Sequence, residues 1–291
     1  MRAQYRRLGN TVGGKRRCKE VMPSYYPDRL KRMLRLNRQY NIVHDGDRVL
    51  ELGTGWLHWE AITLRLFVKI KAVLFDVWDN RQLGGIKNYL RQLSSMLSNQ
   101  FGLSGDEVQH AQGIIEAILK IKSFDELYEL LGFEYHVEQS GSLSGFSDGS
   151  FRFIVSGGVL EHVEEEALPT LIAETARVLE PKGCALHSID TSDHLAHYDK
   201  SVPRKLYLSF SEPIWHHLFE NRVQYVNRIQ RGDWLRRFAA NNFELIEEES
   251  NQTDISGLTL AARYSQLPKK DLECTVLRVL LRKAAPLPCH T

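Results

Sequence analysis

The sequence predicts an α/β fold in which buried parallel strands turn sharply into helices, and two segments carry that reading. The first is Arg48-Val49-Leu50-Glu51-Leu52-Gly53-Thr54-Gly55-Trp56, an apolar run that closes on an acidic residue and two glycines before a helical pattern begins. A near-continuous apolar run marks a strand covered on both faces. Gly53 and Gly55 can take positive φ and bring bare backbone close to a ligand, and the helix that follows offers free N–H groups at its start. Alone, the glycine pair fits an ordinary β-to-α turn as well as a cofactor loop. The second segment, Lys71-Ala72-Val73-Leu74-Phe75-Asp76-Val77-Trp78-Asp79, repeats the pattern and ends on carboxylates. A nucleotide-binding α/β fold places its ribose-binding carboxylate at that point, about 20 residues after the glycine loop.

The flanking elements follow from periodicity. Pro27-Asp28 begins a helix ahead of the first strand, with Leu30, Met33, Leu34 and Leu36 near Tyr40 on its inward face. Between Asp79 and Phe133 the pattern is helical: Ile86, Tyr89, Leu90, Leu93 and Met96, then a break from Gly102 to Gly105. Val108, Ala111, Ile114, Ile115, Ile118 and Leu119 make a second helix, and Phe124, Leu127, Tyr128, Leu130 and Leu131 a short third one ended by Gly132. Phe133 to Glu138 alternates as a strand. Asp233 to Ala240 reads as a helix before the strand Phe243-Glu244-Leu245-Ile246, and Leu272 to Leu281 as a last strand, antiparallel beside it.

A nicotinamide enzyme would show G-x-G-x-x-G, but Trp56 follows Gly55 and no third glycine appears. With Glu51 opening the loop, E-L-G-T-G resembles the first motif of the class I S-adenosylmethionine-dependent methyltransferases. Phe146-Ser147-Asp148-Gly149-Ser150-Phe151-Arg152-Phe153-Ile154-Val155-Ser156, followed by Val159-Leu160-Glu161-His162-Val163, is similar to that superfamily's fourth strand and the loop after it. Ala176-Arg177-Val178-Leu179-Glu180-Pro181-Lys182-Gly183-Cys184-Ala185-Leu186 is similar to its helix, Pro-x-Gly turn and fifth strand. The pattern departs at Trp56 and at Arg152, where relatives often carry an aspartate. The resemblance implies a Rossmann-like, seven-stranded, mostly parallel sheet with helices on both faces. Residues 1–44 would be a basic arm and helix, and 45–291 the methyltransferase domain, with a helical insertion at 80–132 and a helical substrate-side cap at 192–232.

It also implies the cofactor, S-adenosyl-L-methionine, and a set of residues for it. Asp76 would grip the ribose hydroxyls, with Asp79 as an alternative ribose ligand or an N-cap of the inserted helix. Gly53, Thr54 and Gly55 would meet the amino-acid tail, with Glu51 acting through the loop backbone and the cofactor's ammonium. Ser140 and Gly141, in the loop Gln139 to Leu143 after the third strand, would lie against adenine, and Ser156 closes the fourth strand nearby. Methyl transfer is a direct displacement, so the acceptor side needs a positioning group or a base. His162 in V-L-E-H-V is one candidate for catalysis or for a structural hydrogen bond. Asp190-Thr191-Ser192-Asp193-His194-Leu195-Ala196-His197-Tyr198-Asp199 is richer, and three readings fit it. His194 or His197 acts as base with a carboxylate such as Asp193 orienting it, the group binds a divalent metal, or the carboxylates cap helices. The aromatics Leu206 to Phe210, Trp215, Phe219 and Tyr225 would either wall an acceptor pocket or form the core of the cap.

Bulk properties agree with one globular enzyme: 291 residues, 43% hydrophobic, 25% charged and a net charge of +2. The charge is uneven. Arg2, Arg6, Arg7, Lys15, Arg16, Arg17, Lys19, Arg29, Lys31, Arg32, Arg35 and Arg38 face only Glu20 and Asp28, so the arm is either a solvated face or a phosphate-binding one. No apolar run nears the ~20 residues of a membrane span, and Met1 to Lys19 lacks a signal peptide's apolar centre; the expected location is cytoplasmic. Cys18, Cys184, Cys274 and Cys289 form no C-x-x-C pair, and neither zinc nor disulfides are expected. The expected acceptor is a small molecule, methylated on oxygen ahead of nitrogen, with no nucleic-acid or membrane partner. Methylation of a protein or RNA guided by the basic arm, and a cofactor-binding partner subunit without activity, are the alternatives. The helical insertion offers a lid, a homodimer face or simple cover for the sheet.

Overall fold

The computed structural model describes residues 12–220 and 225–284. The basic arm's Arg2, Arg6 and Arg7, a part of the cap and Cys289 lie outside the described residues. Seven strands form one sheet: β1 (Arg48–Leu52), β2 (Lys71–Asp76), β3 (Phe133–Val137), β4 (Phe151–Gly157), β5 (Leu179–Asp190), β6 (Phe243–Gln252) and β7 (Cys274–Lys283), in the order β3-β2-β1-β4-β5-β7-β6. β1 runs parallel to β2 and β4, and β2 to β3, whereas β7 is antiparallel to β5 and β6. This is the expected Rossmann-like architecture with the expected reversed last strand. Two strands are longer than the sequence indicated. β6 pairs along the length of β7 through a bulge between Leu245 and Glu247, because β7 supplies a full-length partner. β5 takes in the Pro-x-Gly turn, where Lys182 sits at φ 62°.

The chain divides into two compact units, Met1–Ser142 with Ser150–Val155, and Leu143–Gly149 with Ser156–Thr291. The first holds β1 to β3 and, after a helical stretch at 12–17, the helices α1 (Tyr25–Tyr40), α2 (Trp59–Arg65), α3 (Leu83–Gln100), α4 (Gly105–Lys120) and α5 (Phe124–Leu131). α1 buries Leu30, Met33, Leu34 and Leu36 and stops at Asn41, which takes the left-handed conformation at φ 52°. α4 starts with a capping box between Ser104 and Glu107, and α5 is capped by Ser123 and ended by Gly132 at φ 73°. These three inserted helices match the sequence reading. Under the first strand, Arg29 of α1 pairs with Glu60 of α2, and the Glu51 carboxylate accepts from the Ala61 amide at 2.9 Å. Burial, then the nearby Glu60, push the Glu51 carboxyl well above its ordinary range.

The second unit holds β5 to β7, α6 (Leu168–Val178) and α7 (Arg231–Ala240). Its cap consists of single helical turns, Leu195–Tyr198, Leu206–Ser209, Glu212–Ile214 and Trp215–Phe219. The aromatics there are core: Tyr207, Leu208, Trp215, Ile255, Tyr264 and Leu272 pack together, with Phe210 and Phe219 against them. Among the described residues no helix is long and apolar enough to cross a membrane. At the foot of this cluster Lys205 is fully buried. Its Nζ donates to the carbonyls of Thr191 (2.9 Å) and Cys274 (2.8 Å), to Gln230 Oε1 (2.9 Å) and to the Tyr207 hydroxyl (2.9 Å). Burial pushes Lys205 down to about 7, yet an all-acceptor shell is the one that suits an ammonium. Lys205→Met should leave Gln230 Oε1 without its donor, while the Cys274 and Thr191 carbonyls and the Tyr207 hydroxyl keep theirs from Thr191, Tyr207 and Gln230, and lower unfolding free energy by about 1–3 kcal/mol, read by urea denaturation. An unchanged midpoint would mean the shell is loose.

Candidate active site

The glycine loop is built where β1 and β2 end side by side. Gly53 (φ 69°) and Gly55 (φ 58°) both occupy the left-handed region, where a side chain would be strained. The Phe75 carbonyl accepts from the amides of Gly53 (2.8 Å) and Thr54 (3.0 Å). Asp76 completes the turn: Oδ2 accepts from the Gly55 amide at 2.7 Å, and Oδ1 from Val77 at 2.7 Å and Trp78 at 3.2 Å. Burial raises the Asp76 pKa against the pull of these three amides. A carboxylate has about four lone-pair positions. One stays open for a ligand, and a two-pronged grip on a diol requires the long Trp78 bond to yield.

Other members of the expected set sit differently. Glu51 is turned beneath the loop onto the start of α2, so it supports the loop from below. Ser140 is exposed and its hydroxyl donates to Glu138 at 2.8 Å, while Gly141 sits at φ 73°, where a side chain would be strained and would meet Val77. Ser156 is buried, with Oγ 2.8 Å from His187 Nδ1. Asp79 does not cap the inserted helix, which begins at Leu83 after Gln82. It instead grips Arg81 at 2.9 and 2.7 Å. The sequence reading missed His58. Held at φ 48°, fully buried, its Nδ1 lies 2.7 Å from Thr54 Oγ1 and its Nε2 3.1 Å from the Tyr128 hydroxyl of α5. The i, i+4 spacing from Thr54 was visible in the sequence; the partner 70 residues away was not.

In the second unit the histidines gather after β5. The rings of His162 and His194 lie 5.1 Å apart, and those of His194 and His197 5.0 Å apart. His162 Nδ1 donates to the Tyr225 carbonyl at 2.7 Å. His197 Nε2 meets Asp190 Oδ2 at 3.2 Å. Burial opposes ionisation of Asp190, but the bonds from His197 and Ser192 outweigh it and hold the carboxyl at about 2. Burial, helped by His162, lowers His194 to about 4, so its ring is neutral at pH 7, and its buried Nε2 has no hydrogen-bond partner. Among the described residues no three His, Cys, Asp or Glu side chains are placed to hold a metal ion. Asp193 differs from the expected orienting carboxylate: its two oxygens accept from the amides of Leu195 (2.9 Å) and Tyr207 (3.0 Å). Asp190 is the carboxylate that meets His197, and Asp199 closes a turn on Ser201.

A parallel sheet with a glycine loop after β1 and a carboxylate at the end of β2 defines an α/β enzyme that binds an adenosine cofactor. The family model described as a methyltransferase domain matches residues 18–248, and the chain belongs to that family. It is an S-adenosyl-L-methionine-dependent methyltransferase. No curated protein matches the chain. Among solved structures it is similar to a phosphoethanolamine N-methyltransferase 2 of Haemonchus contortus in complex with S-adenosyl-L-methionine, with a TM-score of 0.50 and 13% identity over 87% of this chain and 52% of that one. A SAM-dependent methyltransferase from Methanosarcina mazei aligns with a TM-score of 0.49 and 15% identity, over 86% of this chain and 98% of that one. A geranyl diphosphate methyltransferase in complex with GPP and sinefungin gives a TM-score of 0.47 and 15% identity, over 87% and 77%. These likenesses concern the fold.

The two carboxylates after β5 separate by experiment. Asp193→Ala strips two buried amides of their acceptor and should cost about 2–4 kcal/mol. At roughly 2–4 °C per kcal/mol the melting temperature should fall by about 5–15 °C, measured by calorimetry; Asp190→Ala should shift it less.

Proposed function

We propose that the enzyme methylates a hydroxyl of a small-molecule acceptor, and that Asp190 and His197 form its proton-removing pair. The 3.2 Å contact between them carries the reading. An ionised carboxylate only accepts, so His197 Nε2 holds the hydrogen and Nδ1 the lone pair. The pair follows the carboxyl end of β5, the end of the strands at which open α/β sheets take their ligands. When bound, S-adenosyl-L-methionine supplies an electrophilic methyl on a sulfonium. Its carbon–sulfur bond would break onto sulfur as the acceptor oxygen takes the methyl, and His197 would take up the hydroxyl proton. Neutral His194, with Nε2 unpartnered, is a polar contact for the acceptor, and His162, tied to Tyr225, orients that ring.

On the cofactor side the chemistry of the residues fits. Asp76 holds the ribose through its open lone pair, Gly53 and Gly55 admit the amino-acid tail to bare backbone, and Ser140 and Gly141 flank the adenine. Ser156 has its hydroxyl engaged with His187.

Asp76→Ala should weaken S-adenosylhomocysteine binding by about 10- to 100-fold, the worth of a charge-assisted contact of roughly 1.5–3 kcal/mol, by calorimetric titration. Unchanged affinity removes Asp76 from the ribose. On the acceptor side, phenols, alcohols and amines are screened with radiolabelled S-adenosylmethionine. His197→Ala should then cut kcat by about 10²-fold and leave cofactor affinity intact. Full activity, or an amine as the sole acceptor, overturns the hydroxyl reading.

A further inference from the structure

The hydrogen bonds around His58 have a direction, and it ends at the cofactor loop. Arg81 is fixed by Asp79 through two bonds of 2.9 and 2.7 Å, and its guanidinium lies over Tyr135, 4.2 Å from the ring centre. A guanidinium only donates, so the Tyr128 hydroxyl accepts from Arg81 Nη1 at 3.3 Å. The phenol's single hydrogen is then available to His58 Nε2 at 3.1 Å. The cation beside Tyr128 also favours a lone pair over an N–H at that ring nitrogen. Burial and Arg81 lower His58 to about 3, so the ring is neutral and its one hydrogen sits on Nδ1. That hydrogen goes to Thr54 Oγ1 at 2.7 Å. The Thr54 hydroxyl, thus supplied with a donor, keeps its own hydrogen to give away.

We infer that Arg81, Tyr128 and His58 form a positioning relay that turns the Thr54 hydroxyl into a donor for the carboxylate of the cofactor's amino-acid tail. The inference rests on the placing of that tail at the Gly53–Gly55 loop. Three further observations favour it. His58 is not a glycine yet holds φ 48°, a conformation that is retained where surroundings enforce it. Its ring is flanked by Phe124, Tyr128 and Tyr135, with ring centres 5.6–6.0 Å away. Thr54 itself is buried, 5% exposed, at the loop's turn. Tyr128 and Phe124 belong to α5, so the helical insertion has a task beyond covering the sheet: it sets the polarity of the loop.

Two ligands test the relay with the full-length protein, S-adenosylhomocysteine, which has the amino-acid tail, and methylthioadenosine, which lacks it. Thr54→Val and Tyr128→Phe should each weaken S-adenosylhomocysteine by about 10-fold or more in calorimetric titration and leave methylthioadenosine within about 2-fold, a charge-assisted bond being worth roughly 1.5–3 kcal/mol. Equal losses for both ligands, or none, overturn the relay. Failure of wild type to bind either ligand would instead remove the cofactor placing on which it rests. Should a variant not fold, nitrogen-15 NMR of wild-type histidines decides: His58 protonated at Nδ1 is expected, and a hydrogen on Nε2 overturns the relay.

Discussion

The bond from the Gly55 amide to Asp76 closes two parallel strand ends into one loop, and the first unit's chemistry depends on it. Two glycines at positive φ would otherwise have many conformations open to them, and fixing each residue costs on the order of 1–2 kcal/mol. Asp76 and the Phe75 carbonyl, both from the end of β2, take up the loop's amides and leave Thr54 with one orientation. The same carboxylate takes three amides on its two oxygens, so one side chain sets the shape of the whole turn.

The second unit works by a division of labour among its polar residues. Asp193 and Lys205 satisfy backbone groups of an irregular segment that has no ladder to do so, as burial of unpaired amides and carbonyls demands. Glu161 likewise accepts from the Asp190 amide at 3.1 Å. With those residues engaged in structure, Asp190 meets His197, and His194 keeps a buried Nε2 with no hydrogen-bond partner.

Much of this was legible in the sequence, for a physical reason. Buried parallel strands write themselves as apolar runs, so β1 and β2 were plain, and glycines such as Gly132 punctuated the insertion. Asp76 and the positive-φ glycines were legible because few residue types can stand there. His58 and Lys205 were not, since each takes its meaning from partners far along the chain, Tyr128 and Cys274. The exchange of roles between Asp190 and Asp193 was hidden too: both stand in the same short acidic stretch, and only the backbone decides which one points at an imidazole and which at amides. The aromatics of the cap looked alike for core and pocket because burial of a large ring serves both equally.

Lys205 has a consequence for chemical access. An amine that gives all its hydrogens to interior acceptors and has no exposed surface cannot meet an acylating reagent in the closed state. Its modification rate is therefore the intrinsic rate multiplied by the fraction of molecules in which the segment from Thr191 to Tyr207 has opened. One lysine thereby serves as a built-in gauge of how often the cap's base comes apart, readable peptide by peptide in a mass spectrum.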